Sequence, residues 1–163
     1  MSVVSRVSEH ITRTVLAPPS ATITRFPRVA STPFKAADTG GARLDLDHMV
    51  GQSRVFELAL EDSLTTPLSF GGPAPIAYRE EFPIRVRYES HGPARRSETL
   101  KEIKEDQLAI CDALQRSSWS TVQGLASLSA SPANVISFVI QDENSREYSG
   151  FISEIAVSIS FDI

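Results

Sequence analysis

The chain has one cysteine, Cys111, which excludes an internal disulfide, and a lone thiol cannot by itself build a zinc site. No apolar run approaches the roughly 18 residues that a transmembrane helix needs, so no membrane partner is expected. Positive charge is also in short supply. With 16 Lys and Arg against 20 Asp and Glu, the formal net charge is −4 and the pI is near 5.4. A surface that wraps nucleic acid needs clustered Lys and Arg, whereas an acidic surface suits DNA that must slide past it. The N-terminus breaks its apolar pattern with Arg6, Glu9 and His10 and does not read as a secretory signal, so synthesis and folding in a cytosol are expected.

Catalytic signatures are equally sparse. There is no phosphate loop, no dinucleotide fingerprint and no Gly-x-Ser-x-Gly elbow, and His10, His48 and His91 fall on three different segments. Asp38, Thr39 and Gly40 match the triplet around an aspartic-protease carboxylate. They lack its apolar flanks, and a turn explains them through ordinary backbone chemistry. Asp45, Asp47 and His48 are metal-ligand types without a well-spaced further ligand, so a solvated loop is expected. No cofactor is called for, and the chain does not read as an enzyme.

What is present is an ordinary globular composition, 41% hydrophobic and 22% charged, over 163 residues. That length suits a single domain, 1–163. The clearest pattern runs from Glu81 to Ser120. Phe82, Ile84, Val86 and Tyr88 alternate with Arg85, Arg87 and Glu89, the period-2 signal of a strand with one buried and one wet face. A connector, His91 to Arg96, leads to Ser97 as N-cap, with Glu98 and Glu102 placing negative charge in the first turns of a helix. Leu100, Ile103, Ile110, Cys111 and Leu114 form its buried stripe, which makes Cys111 an inert core thiol. Glu98, Lys101, Glu102, Glu105 and Asp106 form its solvated face. Trp119, just past the helix, reads as a core cap, with an exposed contact anchor as the alternative.

Around this unit the reading is coarser. Val4, Val7, Ile11 and Val15 predict a first helix over 2–17, ended by Pro18 and Pro19, and 21–26 could form a short strand. A strand is expected over 54–61, with Phe56, Leu58 and Leu60 facing the core. Proline and glycine make 27–52 and 62–80 two extended arms. Small, polar residues from Ser127 to Pro132 read as a connector to a strand over 134–141, and Ile155, Val157, Ile159, Phe161 and Ile163 give the cleanest strand of all. The fold class expected is α+β, a mainly antiparallel sheet packed by two helices, with long extended loops.

From Glu81 to Ile163 this order resembles the tail terminator (tail completion) proteins of long-tailed bacteriophages, with an alternating strand at Phe82 to Tyr88, a long helix ending near Trp119, and two closing strands. The resemblance covers about half the chain and is a pattern of elements; the 27–52 arm has no counterpart in it, which leaves neighbouring head-tail joining (neck) proteins as an alternative. It implies a virion structural protein forming a hexameric ring. Such a ring stops tail tube polymerisation, meets the tail tube protein and the head-tail connector protein, and lets DNA pass through its lumen without sequence-specific binding. Pro73, Pro75, Arg79, His91, Arg95 and Arg96 are then the expected subunit, tube or connector contacts. Two other classes compete: a homodimeric enzyme pairing Asp38 with its copy, and an adaptor that binds a peptide along an exposed sheet edge.

Overall fold

A computed structural model describes residues 2–12, 35–36, 54–68, 72, 77–90, 95–116, 119, 122–141 and 144–162. Helix α1 (Val3–His10) starts at Ser2, whose hydroxyl accepts from the Ser5 backbone N–H, and it buries Val7. Strands β1 (Lys35–Ala36), β2 (Val55–Leu58), β3 (Leu64–Leu68) and β4 (Ala77–Ser90) precede helix α2 (Arg96–Arg116). Strands β5 (Leu125–Gln141) and β6 (Glu147–Asp162) follow it. Together they make an α+β fold: one mainly antiparallel sheet in the order β1-β2-β4-β6-β5, with β3 also pairing β4 and only the short β1–β2 pairing parallel. No helix among the described residues is long and apolar enough to cross a membrane.

The alternation read in the sequence builds the core. Phe82, Ile84, Val86 and Tyr88 of β4 meet Phe151, Ile155, Val157 and Ile159 of β6, with Ile103, Ile110, Cys111 and Leu114 of α2 packed above them. Val7 and Ile11 from the first helical segment join the same cluster. Phe56 is buried in this cluster, and Leu58 and Leu60, partly buried, pack against the cluster.

Four expectations need correction. The arm expected over 62–80 is largely ladder: Leu64–Leu68 pairs with 77–81, so β4 begins well before Phe82. Arg79, Glu80 and Glu81 hid this extension, because backbone pairing on both sides of β4 carries the strand through residues with no apolar alternation. The strand expected over 54–61 ends at Leu58, and Leu60–Asp62 forms a 3₁₀ turn after Ala59, whose N–H bonds to the Pro83 carbonyl. The polar connector over Ser127 to Pro132 is the first half of β5, its serines paired opposite Ser160, Ser158 and Ala156 of β6. Finally, α2 starts at Arg96, so Ser97 lies inside the first turn. The 27–52 arm lies outside the described residues except for β1, as do 13–17 of the predicted first helix and the possible strand over 21–26.

Candidate functional site

The sheet has a helix side and an open side, and the open side is wet only in part. At its wet end Arg79 and Glu81 of β4 are exposed, and across Ser160 and Ser158 of β6 lies the Ser127, Ser129 and Ser131 row of β5. A cleft of about 410 Å³ opens here, lined by Asp62, Glu81, Ser129, Ser131, Glu154 and Ser158 among others. Arg85 pairs with two of the lining carboxylates, 2.7 Å from Asp62 and 3.5 Å from Glu154, and lies 3.7 Å from Glu57. Burial works against its charge, but the hydrogen bond and field of Asp62, with Glu154 and Glu57, outweigh that and hold the guanidinium more basic than usual. With Arg79 and Glu81 included, two arginines stand against four carboxylates, Glu57, Asp62, Glu81 and Glu154, which leaves this face acidic.

Toward the other end the expected wet face is closed. Arg87 and Glu89 are buried, where period-2 reading placed them in solvent. Arg87 lies with its guanidinium carbon 4.9 Å from the centre of the Phe138 ring, and burial lowers its basicity against the field of Glu89. Phe138 reaches it across Gly150, its cross-strand partner on β6. A Cβ on Gly150 would lie 2.7 Å from Phe138 Cζ and would overlap the Tyr88 carbonyl oxygen. The absence of a side chain on Gly150 is therefore what lets the aromatic ring come this close to the sheet.

On the helix side sits a polar cluster that sequence reading missed. Asp106, assigned to the solvated face of α2, has no exposure and takes Arg54 Nε at 3.1 Å, Arg54 Nη2 at 3.4 Å and the Tyr88 hydroxyl at 2.8 Å. Burial pushes the Asp106 carboxyl up to about 6, against the opposing pull of Arg54 and Tyr88. The Tyr88 hydroxyl is driven well above its ordinary value, first by burial and then by the neighbouring carboxylate, and so stays a donor. Arg54 holds a left-handed backbone, φ 57°, and its N–H bonds to the Arg87 carbonyl at 2.7 Å. The cluster thus pins the entry of β2 to both β4 and α2. Its neighbour Gln107 is also buried and donates to the Glu154 carbonyl.

The expected contact residues do not converge. Arg79 is exposed near the start of β4, and Arg95 and Arg96 are exposed at the start of α2. Arg96 stacks its guanidinium carbon 4.7 Å from the centre of Phe151, which pairs with Tyr88. Tyr88 lies nine residue steps along the strand from Arg79, roughly 30 Å at 3.4 Å per step, so Arg79 and the Arg95–Arg96 pair sit near opposite ends of the sheet. Pro73, Pro75 and His91 lie outside the described residues, as do Asp38, Asp45, Asp47 and His48.

The remaining candidates are structural. Trp119 is half-buried, packs on the core, and donates its indole N–H to the Leu114 carbonyl, closing the C-terminal turn of α2. His10 lies 4.6 Å from it ring to ring, with its pKa lowered by burial. Burial raises the Cys111 thiol to about 11, which suppresses the thiolate that a reactive cysteine needs. The sequence matches no protein-family model and no curated protein.

Proposed function

We propose that this chain is a bacteriophage virion structural protein, a tail terminator whose hexameric ring ends tail tube polymerisation and joins the tail to the head connector. The observation that carries the reading is the order β4–α2–Trp119–β5–β6, in which the three strands share one sheet and the strands, long helix and tryptophan pack on one core. This is the order on which the resemblance rests.

The role follows from what a cap must do. A stacking tube presents the same surface after every added ring, so growth stops only when a different subunit occupies it. Such a subunit needs one face for the tube and another that does not repeat the tube's surface. Arg79 at one end of the sheet and Arg95 with Arg96 at the other offer two well-separated exposed places for tail tube and connector contacts. The acidic cleft face suits a lumen through which DNA passes without being held. Purified tails incubated with the protein are expected to carry one six-fold ring at the head-proximal end, seen by class averaging of electron micrographs. Rings of another symmetry, or binding along the whole tube, would overturn the reading. Charge reversal of Arg95 and Arg96 together, both exposed, is expected to reduce attachment of heads or tails at least ~10-fold while leaving the thermal midpoint within a few degrees. Unchanged attachment would remove the connector from their role.

A further inference from the structure

We infer that the free subunit pairs with a second copy of itself through the outer edge of β5, forming an antiparallel β5–β5 junction centred on Ser137. The inference goes beyond the ring reading and rests on β5 alone. Among the described residues no strand pairs with the outer edge of β5, which ends the sheet order. Exposed edges are normally blunted by charge, proline or bulges. Over its 17 residues β5 carries no charged side chain. Of its two bulges, one lies at Leu125 to Ser127, at the start of the strand, and the other, with the proline, at Pro132 to Val135 marks the boundary between two unlike halves. The serine half is tied down: Gln115 donates from α2 to the Ala130 carbonyl, and Ser127 meets Ser160.

The other half, Val135 to Ile140, is apolar in five of six positions, the pattern of a strand covered on both faces. Yet Ile136 is 52% exposed on the open side and Val139 60% exposed on the helix side. What identifies the occupant is the symmetry of the sequence about Ser137: Val135 and Ile136 precede it, Phe138 and Val139 follow it. In an antiparallel pair centred there, Val135 faces Val139 of the second copy on the helix side. Ile136 faces Phe138 of the second copy on the open side. Both pairs match side to side and form twice, and apolar cross-strand pairs are the unit of sheet stability. Because an isologous contact has a two-fold axis that a ring with two different faces lacks, the pair belongs to the free subunit and is released when the ring forms.

Ser137 opposite its own copy gives a direct test. Opposed Cα atoms in an antiparallel pair lie about 4.5–5.5 Å apart, inside the roughly 4.4–6.8 Å that a disulfide spans. Under mild oxidation Ser137→Cys is expected to give a covalent dimer at least ~10 times faster than Ser129→Cys on the serine half, with the buried Cys111 silent in the parent chain. Ile136→Lys with Val139→Lys, both at exposed positions, is expected to raise the dimer dissociation constant at least ~10-fold in sedimentation while the circular dichroism spectrum is kept. Equal cross-linking rates, a parent chain that sediments only as monomer, or β5 binding only an unrelated peptide would each overturn the pair. A free chain that sediments as a hexamer without Ser137 cross-linking would overturn it too, while leaving the ring reading standing.

Discussion

Arg54→Met is expected to destabilise the fold by about 3–5 kcal/mol at pH 8 and by much less at pH 5, because the loss depends on the charge of Asp106. In the native protein the Asp106 carboxyl titrates near 6, against an ordinary value of 3.8. The folded state therefore binds this proton more tightly than the unfolded chain, so the contribution of Asp106 is fully present below pH ~4 and is lost as pH rises through ~6. Above that pH the ionised carboxylate depends on Arg54, its partner at 3.1 Å, and on the Tyr88 hydroxyl at 2.8 Å. Removing the guanidinium leaves a buried anion that escapes by staying protonated, which pushes its titration further upward. Denaturant melts of parent and variant from pH 5 to pH 8 check this: the gap should widen as pH rises. A gap of constant size would mean that Arg54 acts through packing and its left-handed backbone alone.

Gly150→Ala is the second large effect, expected at about 3 kcal/mol or more, at the upper end of overpacking costs because one of the two obstacles is backbone. The added methyl meets the Tyr88 carbonyl oxygen, fixed in the β4–β6 ladder, and Phe138 Cζ at 2.7 Å. Phe138 can rotate away, but it then uncovers Arg87, which has no exposure in the native fold. Ala156→Val, at an exposed site on the same strand, is the control and should change stability by less than ~0.5 kcal/mol. Comparable midpoints for the two variants would show that β6 shifts freely and that Gly150 is not required.

These two sites show where sequence reading stopped. The α2 stripe and the alternations of β4 and β6 were legible because apolar side chains repeat at the periods of their elements. Asp106 is not, because a carboxylate reads by type as solvent-facing. Its position held the signal: Ile103, Asp106, Gln107 and Ile110 follow the i, i+3, i+4, i+7 spacing of one buried face. Arg54 could not be matched to it from sequence, since the two lie 52 residues apart. The same limit applies to Arg87, which period 2 placed in solvent and Phe138, from a strand two places away in the sheet, covers. The serine half of β5 was hidden for a different reason. Its register is held by backbone pairing to β6, and its side chains on the open side need no apolar character.

Tail length in particles assembled without this subunit decides whether it ends tail growth. Particles assembled in the absence of the chain are expected to have overlong tails unattached to heads, with normal length and joining restored when the protein is supplied. Tails of normal length joined to heads in its absence would mean that another component ends tail growth.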